Sequence, residues 1–385
     1  MSSRLWLTGG LVVLLGLVVF LSLHTVFSPG RSVRKPPLLY EEIYSSGADL
    51  KKNILKIDCA FYKSLYDCGV KEKDVLFLNV QPRHQNGHVW DFAEILVKCP
   101  DQQCALKVRR SISDRLSALG SDIRIQRTDG PGDRIVFRIF AKAFQTHEIT
   151  LRFGTGKARI QKDLPEIAII IDDLGYNADT DFSFFKLDLP LSFSVLPYGP
   201  FTQSVVRKAN REGRELLLHL PMEPKKYPSV KPGPGALLLS MDARKIRSVL
   251  ARDLTRVKAV RGVNNHMGSS FTEDREKMRV VLDELKKRNL FFVDSRTTRN
   301  TVALAMARKL GVPAARRRVF LDNNLEPRAM EIQMERLLGM ARHLGSAVGI
   351  GHPHRETYAL LERYSRKIKA RFHMVPVSEL VSCTN

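Results

Sequence analysis

Aspartate, asparagine and histidine residues follow most of the apolar segments in the second half of the sequence. They are Asp172 and Asp173, His219, Asn264 with Asn265 and His266, Asp294, Asp322, His352 and His354. Histidine nitrogens and carboxylate oxygens are the usual ligands of a catalytic metal ion that keeps one coordination position for water. Adjacent aspartates suit two roles, a metal ligand and a base that takes a proton from water. Together, these residues would form a mononuclear hydrolytic site.

Each of these residues also has a simpler explanation when it is considered alone. An aspartate or asparagine directly after a strand often forms a turn, and a single histidine is commonly structural. The repetition at the ends of successive segments is what favours a functional site.

The elements that must position the site alternate between short apolar segments and longer amphipathic segments. Strands are predicted at residues 167–171, 191–196, 215–220, 262–266, 290–294, 319–322 and 347–351. Helices are predicted at residues 243–260, 273–288, 301–310, 329–344 and 356–370. Such alternation predicts an α/β fold with a parallel sheet, either a barrel or a doubly wound sheet. In a parallel barrel the polar residues meet at the carboxyl ends of the strands.

Six longer motifs occur in order along this region. They are Ile-Asp-Asp-Leu-Gly at 171–175, Leu-His-Leu-Pro-Met-Glu-Pro at 218–224, Asn-Asn-His-Met-Gly-Ser at 264–269, Phe-Val-Asp-Ser-Arg-Thr at 292–297, Gly-Ile-Gly-His-Pro-His at 349–354 and Val-Pro-Val-Ser-Glu-Leu at 375–380. In these motifs the sequence resembles the divergent polysaccharide deacetylase family. The resemblance implies a distorted seven-stranded (β/α) barrel that binds a divalent metal ion, with zinc expected.

The resemblance also implies roles for individual residues. Asp172 matches the catalytic base and Asp173 a metal ligand, with His219 as a second ligand. The wider superfamily has another histidine four residues later, where this chain has Glu223. His266 is therefore expected to supply the third ligand. Glu223 keeps three alternatives: a metal ligand, a hydrogen-bond partner of a ligand histidine, or a cap of the turn before the next proline.

The remaining polar residues of the motifs have less specific expectations. His352 is expected to be the general acid that protonates the leaving amine, with His354 as the alternative. Asp294 is expected to orient that histidine or another residue of the rim. Arg296 is interpreted as binding a substrate anion or as part of a structural salt bridge. Asn264 and Asn265, listed above with His266, either bind sugar hydroxyls or form a turn.

The N-terminal part of the chain has a different character. Residues 5–27 are almost wholly apolar and long enough to cross a bilayer, and no small-x-small cleavage site follows them. An uncleaved transmembrane anchor with a linker is therefore predicted for residues 1–38. Residues 39–155 are predicted to form a small α+β accessory domain, and residues 156–385 the barrel domain. The predicted elements of the accessory domain are helices at 49–68 and 105–119 and strands at 74–80, 122–127 and 134–140.

The cysteines bear on the compartment in which the protein lies. Cys59, Cys68, Cys99 and Cys104 cluster in the predicted accessory domain, whereas the rest of the chain has Cys383. The four either form two disulfides, which persist outside the cytoplasm, or are buried free thiols. With the predicted anchor, the first alternative indicates a single-pass protein of the bacterial inner membrane with its folded domains in the periplasm.

The formal net charge of +22 would suggest nucleic acid as the partner of a cytoplasmic protein. Behind a membrane anchor, lipid head groups or envelope polymers are the expected anions, and no nucleic acid is expected. Many basic residues, including the run at 316–318, are interpreted as solvated faces. No protein partner can be predicted.

The function expected from the sequence is metal-dependent removal of N-acetyl groups from an envelope polysaccharide. A hypothesis of a different class is a catalytically inactive barrel that serves as a periplasmic glycan-binding or scaffold protein, because the ligand set departs from that of the superfamily. A glycoside hydrolase would need two carboxylates across a cleft, and the adjacent pair Asp172 and Asp173 does not obviously provide them.

Overall fold

A computed structural model describes residues 48–86, 88–129, 133–154 and 164–383. They all belong to one compact unit, Tyr40–Asn385. Within these residues, no helix has both the length and the apolar character needed to cross a membrane. The predicted anchor, residues 5–27, lies outside the described residues.

The first sheet has five strands from the N-terminal part of the chain. They are β1 (Val75–Gln85), β2 (His88–Cys99), β3 (Ile123–Asp129), β4 (Arg134–Ala141) and β5 (Phe144–Phe153). Their order is β1-β2-β5-β4-β3, and the pairing is antiparallel except between β2 and β5, which are parallel. Two helices pack against each other and against this sheet, α1 (Ala48–Asp67) and α2 (Gln102–Ser117). These helices and strands lie in the range predicted for an α+β domain, although β2 and β5 were not predicted.

The second sheet is built from parallel strands. They are β6 (Glu166–Leu174), β7 (Ser192–Val195), β8 (Glu215–Met222), β9 (Gly262–Met267), β10 (Phe291–Asp294), β11 (Ala314–Arg316), β12 (Val319–Phe320), β13 (Ser346–Gly351) and β14 (His373–Met374). The helices between them are α3 (Ala178–Ser183), α4 (Thr202–Arg211), α5 (Ala243–Arg256), α6 (Arg275–Lys287), α7 (Ala303–Leu310), α8 (Pro327–Leu344) and α9 (Arg355–Arg371).

The order of the strands requires this sheet to curl. It runs β11-β10-β9-β8-β7-β6-β13-β12, with β14 added beside β6. The two edge strands, β11 and β12, are separated by only two residues of chain, so the two edges must lie close together. The curled parallel sheet is consistent with the predicted (β/α) barrel. β12 lies within the predicted strand at 319–322, whereas β11, which precedes it, was not predicted.

The side chains of β6 show why the strands of this sheet have continuous apolar sequences. Ile167, Ile169 and Ile171 belong to the large core that includes residues of the helices, whereas Ala168 and Ile170 belong to a second, smaller core. Because both faces of a parallel sheet are covered, both sets of side chains must be apolar.

The predicted division into an accessory domain and a barrel domain stays a prediction. The two sheets share no strand, but residues of both belong to the same compact unit and to the same large hydrophobic core. The predicted boundary at residue 155 falls in the segment 155–163, outside the described residues.

The five cysteines are all free thiols in the structure. Burial, together with neighbouring Cys104, raises the pKa of the Cys99 thiol to about 12. The free-thiol alternative is therefore the one that the structure contains, and the alternative of two disulfides is not.

Candidate metal centre

The end of β6 carries the two adjacent aspartates. The pairing of β6 with β7 is irregular between Ile171 and Leu174, where β6 has one residue more than its neighbour. Asp173 adopts a left-handed backbone conformation, with φ of 58°. Such a bulge interrupts the alternation of side chains across a sheet and redirects them. Both carboxylates are buried at this strand end, Asp172 with 2% and Asp173 with 1% of its surface exposed.

Asp173, His219 and His266 form a group that could hold a metal ion, with one potential ligand atom from each within 4.8 Å of the others. Asp173 Oδ1 lies 2.9 Å from His219 Nε2 and 2.9 Å from His266 Nδ1. The register of β8 and β9 brings the histidines together, because His266 pairs with Pro221, two residues after His219 on β8. These are the three residues that the sequence predicts as metal ligands.

The polar atoms at the centre of this group approach one another and have no other partners among the described residues. Both carboxylate oxygens of Asp173 and Nδ1 of His266 are buried, and apart from the 2.9 Å distances within the group they make no hydrogen bond to the described part of the chain. Because buried polar atoms are normally satisfied, their convergence fits a cation bound between them. One carboxylate with two imidazoles is a donor set that suits a divalent transition metal ion.

The electrostatics of the group favour a bound positive charge. His266 and His219 hold the pKa of Asp173 below its usual range, although burial alone would raise that pKa. Asp172 and Asp173 raise the pKa of His219, although burial alone would lower that pKa. The two carboxylates thus attract either a proton or a metal ion. A metal ligand must be a neutral imidazole, so protons and metal would compete for His219.

Asn264 connects Asp172 to the metal-binding group. Asn264 Nδ2 donates hydrogen bonds to both oxygens of Asp172, at 2.8 and 3.0 Å. Asn264 Oδ1 accepts a hydrogen bond from the Ser194 hydroxyl and lies 2.9 Å from His219 Nδ1. A proton on Nδ1 completes that hydrogen bond and leaves His219 Nε2, the atom nearest Asp173, as the ligand atom.

Asp172 is the carboxylate suited to proton transfer. Burial raises its pKa above the usual range, although His219 and His352 act in the opposite direction. A higher proton affinity makes a carboxylate a better base near neutral pH. The effect of His352 on this pKa also indicates that the two side chains lie near each other.

His352 is held by Asp322. Asp322 Oδ1 lies 2.8 Å from His352 Nδ1, and its Oδ2 accepts hydrogen bonds from the His352 backbone N–H and the Thr357 hydroxyl. His352 and these hydrogen bonds hold the pKa of Asp322 below its usual range, although burial alone would raise that pKa. Asp322 had no role predicted from its position at the end of a strand. His354 lies beside His352, with ring centroids 6.4 Å apart.

Asp294 binds groups of the loop that follows β10. Its Oδ1 accepts from the backbone N–H of Arg296 at 2.9 Å, and its Oδ2 accepts from the Thr301 hydroxyl at 3.0 Å. The rim residue that Asp294 orients is thus Arg296, and the carboxylate that orients His352 is Asp322. Arg296 is buried with a left-handed backbone, φ of 49°, and its guanidinium makes no ion pair with the described residues.

Glu223 and Asn265 bind backbone groups. Glu223 Oε2 accepts from the Leu239 N–H at 2.7 Å, which supports a structural role, and Glu223 is not a member of the candidate metal-binding group. Asn265 Nδ2 donates to the Met267 carbonyl, and its Oδ1 accepts from the Ser295 N–H at 2.9 Å. The Asn265 amide is therefore used to join β9 to the loop after β10.

Asp181 is a residue of the site region that the sequence analysis missed. It is fully buried in α3, and its Oδ2 accepts from the backbone N–H groups of Gly175 at 2.8 Å and Asn177 at 3.3 Å. Burial raises its pKa to about 7. Asp181 thus holds the loop that follows Asp172 and Asp173. The available signal was the capping residue Asn177 before a first turn rich in aspartate.

Comparisons with known proteins agree with this architecture. A Haemophilus influenzae protein is 34% identical over 215 residues, which is 56% of this chain and 76% of that protein. The Escherichia coli K12 protein YibQ is 34% identical over 218 residues, 56% of this chain and 67% of YibQ. A crystal structure of an Agrobacterium tumefaciens C58 protein superposes with a TM-score of 0.55 at 27% identity, covering 59% of this chain and 92% of that one.

The family assignment depends on the region that contains every residue of the candidate site. The family model described as divergent polysaccharide deacetylase matches residues 169–381. This range begins within β6 and ends after the last described strand, and it covers more than half of the sequence. The chain therefore belongs to the divergent polysaccharide deacetylase family.

Proposed function

We propose that this protein is a metal-dependent carbohydrate deacetylase that removes N-acetyl groups from an envelope polysaccharide. The observation that carries the proposal is the position of Asp172, a buried carboxylate with a raised pKa. Its carboxylate lies 3.7 Å from His219 of the group formed by Asp173, His219 and His266. It also interacts with His352, the partner of Asp322, so a candidate base, a candidate acid and a candidate metal site share one strand-end rim.

The candidate metal ligands are Asp173 Oδ1, His219 Nε2 and His266 Nδ1, the atoms that converge in the structure. When bound there, a divalent ion, for which we propose zinc, supplies a Lewis acid that polarises the acetyl carbonyl and lowers the pKa of water. Asn264 keeps His219 in the tautomer that this role needs.

Asp172 is the proposed base. It takes a proton from the attacking water as the water oxygen forms a bond to the carbonyl carbon of the acetyl group. Asn264 donates to both oxygens of Asp172, which fixes the orientation of the carboxylate. Burial keeps competing solvent away from it.

His352 is the proposed general acid. The bond between the carbonyl carbon and the nitrogen then breaks, and His352 gives a proton to the nitrogen, so the products are acetate and a free amine. Because the Asp322 carboxylate contacts Nδ1 of His352, His352 would transfer the proton to the leaving nitrogen from Nε2. The Asp322 carboxylate stabilises the protonated imidazole that this step needs.

The proposed location follows from the sequence. Residues 5–27 would anchor the chain in the inner membrane, and the folded part would lie in the periplasm, next to N-acetylated envelope polymers. Protease treatment of intact and of osmotically opened cells tests this. Protection of the folded part in opened cells would contradict the periplasmic location.

The two adjacent aspartates provide a matched test of the activity. The full-length chain, its Asp172→Asn variant and its Asp173→Asn variant are compared for zinc content and for acetate release from N-acetylglucosamine oligosaccharides. Asp172→Asn should keep wild-type zinc content and lose acetate release by about 100-fold or more, because it removes the base and leaves the ligands. Asp173→Asn should lose both.

The outcomes separate the competing functions. Equal acetate release in wild type and Asp172→Asn would contradict the proposed base. Bound zinc and bound oligosaccharide without acetate release in the wild type would favour the inactive glycan-binding protein. A wild-type chain that takes up no metal would overturn the proposed centre.

A further inference from the structure

Four arginine side chains approach one another beside the split between β11 and β12. They are Arg296, Arg308, Arg316 and Arg318. The register of β10 and β11 pairs Arg316 with Asp294, close to Arg296. The Arg318 N–H donates to the Val348 carbonyl, which fixes the chain where it passes from one edge of the sheet to the other. Arg308 comes from the last turn of α7, which packs on β11.

These arginines are buried, or partly so. None of the four guanidinium groups forms a hydrogen bond or an ion pair with the residues that the structure describes, and the buried Nε of Arg308 is unsatisfied. Burial and the neighbouring charges of Arg316, Arg296 and Arg308 lower the pKa of Arg318 to about 10. Burial and Arg296 also lower the pKa of Arg316, with Asp294 as an opposing carboxylate.

Arg317, between two members of this cluster, shows the contrasting arrangement. Its Nε donates to the Ser295 carbonyl and its terminal nitrogen to the Arg296 carbonyl, at 2.6 and 2.8 Å. Its guanidinium also lies over the Phe320 ring, 3.5 Å from the centroid. Arg317 thus has a structural role, which the four arginines of the cluster lack.

Like charges held together in a partly buried place cost free energy unless an opposite charge joins them. The interpretation of residues 316–318 as a solvated face therefore does not fit the burial of Arg316 and Arg318. We propose that Arg296, Arg308, Arg316 and Arg318 form a binding site for a phosphate group.

A phosphate group matches the cluster better than a single carboxylate does. It carries about two negative charges near neutral pH and three strong acceptor oxygens. Guanidinium groups bind such oxygens in pairs through their planar fork of N–H donors. One carboxylate would leave most of the positive charge of the cluster uncompensated.

This site contains none of the candidate metal ligands, and it does not depend on the proposed deacetylase activity. The loop after β10 lies between the two. Ser295 contacts Asn264 of the metal centre through its hydroxyl, at 3.3 Å, whereas Arg296, the next residue, belongs to the cluster. Phosphate binding can therefore be measured with the metal removed.

The test measures binding of inorganic phosphate to the full-length chain in the presence of a chelator. Calorimetry and thermal unfolding are recorded at constant ionic strength, with chloride replaced by phosphate. Arg318→Gln should weaken phosphate binding by about tenfold or more, as expected for a lost charge-assisted contact. It should also reduce the rise in Tm that phosphate causes. Without phosphate, Arg318→Gln should unfold at the same or a higher temperature, because repulsion is relieved.

Arg244→Gln is the matched control, because Arg244 is exposed on α5 and the variant has the same loss of charge. It should bind phosphate as the wild type does. If Arg318→Gln does not fold, Arg316→Gln provides the same test. Equal phosphate binding by wild type and the cluster variants, or an equal loss in Arg244→Gln, would overturn the proposal.

The source of the phosphate group is distinguished by a second comparison. N-acetylglucosamine 1-phosphate and phosphatidylglycerol vesicles replace inorganic phosphate as probes. Tighter binding of the sugar phosphate that depends on Arg318 would identify a phosphorylated glycan, and Arg318-dependent binding of the vesicles would identify a lipid head group. Either result supports the site, whereas binding of a probe without dependence on Arg318 or Arg316 contradicts it.

Discussion

Asp322 is the residue whose contacts change the interpretation of the site most. It binds the imidazole and the backbone N–H of His352 and also the Thr357 hydroxyl. Because its pKa lies below the usual range, Asp322 stays charged at neutral pH. A buried carboxylate that contacts Nδ1 of a histidine fixes the tautomer of the ring and raises its proton affinity. These contacts fit the general-acid role proposed for His352.

Asp322→Asn should lower kcat for acetate release by about 100-fold, with little change in KM or in zinc content. The variant keeps the shape of the side chain and removes the charge that stabilises protonated His352. The measurement is steady-state kinetics together with metal analysis. Thr357→Val is the control, since it removes one hydrogen bond on Asp322 and keeps the charge. A larger effect of Thr357→Val than of Asp322→Asn would contradict this role of the carboxylate.

At the scale of elements, the loop after β6 must hold both aspartates against the sheet. Asp181 binds its backbone N–H groups, and the loop after β7 packs against it at Gly199. A Cβ atom built on Gly199 would lie 2.2 Å from the Gly175 carbonyl oxygen. The obstacle is backbone, which cannot rotate away as a side chain can. The β6 and β7 loops therefore fit together only with glycine at this position.

Gly199→Ala should lower the free energy of unfolding by about 1–3 kcal/mol, because the two loops must separate. The expected shift of the loop that follows Asp173 should also reduce zinc affinity. Chemical denaturation and zinc titration measure the two effects. Gly339→Ala is the comparison, since its new Cβ would meet only the edge of the Phe77 ring, at 3.0 Å. Equal stability of wild type and Gly199→Ala would rule out the tight loop contact.

At the scale of the whole molecule, a buried charged cluster joins the two sheets. Arg336 of α8 donates to Asp58 of α1 at 2.5 Å, and His147 of β5 lies 3.1 Å from the same oxygen of Asp58. Arg336 has 1%, His147 1% and Asp58 4% of its surface exposed. Because Arg336 lies in the parallel-strand region and the other two residues lie in the N-terminal region, the cluster couples the stability of these regions.

Arg336→Met should lower the free energy of unfolding by about 3–5 kcal/mol, because it leaves the Asp58 carboxylate buried without its partner. Chemical denaturation, followed by far-UV circular dichroism, measures the change. Arg138→Gln is the control, because it breaks an exposed ion pair with Glu148 and should change stability by about 0–1 kcal/mol. Similar losses of unfolding free energy in both variants would show that burial does not determine how much the cluster stabilises the protein.

Acid should weaken the protein through the same cluster. Arg336 and His147 hold the pKa of Asp58 below its usual range, although burial alone would raise that pKa. A depressed folded-state pKa means that the stabilisation is fully present above the unfolded-state pKa, about 4. It is lost as the pH falls through the folded-state pKa.

The difference in unfolding free energy between the wild type and Asp58→Asn should therefore shrink as the pH is lowered below about 4. Denaturation curves from neutral pH downward test this. A difference that stays constant throughout that range would contradict the depressed pKa of Asp58.

The sequence by itself determined the alternation of strands and helices in the parallel-sheet region and indicated the three residues of the candidate metal-binding group. Strand positions such as 167–171 and 347–351 could be predicted because a sheet covered on both faces needs continuous apolar segments. Asp173, His219 and His266 could be predicted because they follow strands of one parallel sheet, and such strand ends meet at one rim. The family motifs, which the family match confirmed, gave these residues their expected roles.

Only the tertiary structure decided which side chains are partners. Asp322 contacts His352 and Asp58 contacts Arg336, although 30 and 278 residues separate these pairs. The strands β2 and β5 and the split between β11 and β12 were likewise not predicted. Such contacts depend on the register between strands and on the way the sheet curls. Local patterns of apolar and polar residues fix the elements but not the register between distant elements, so the arginine cluster appeared in the sequence only as a basic run.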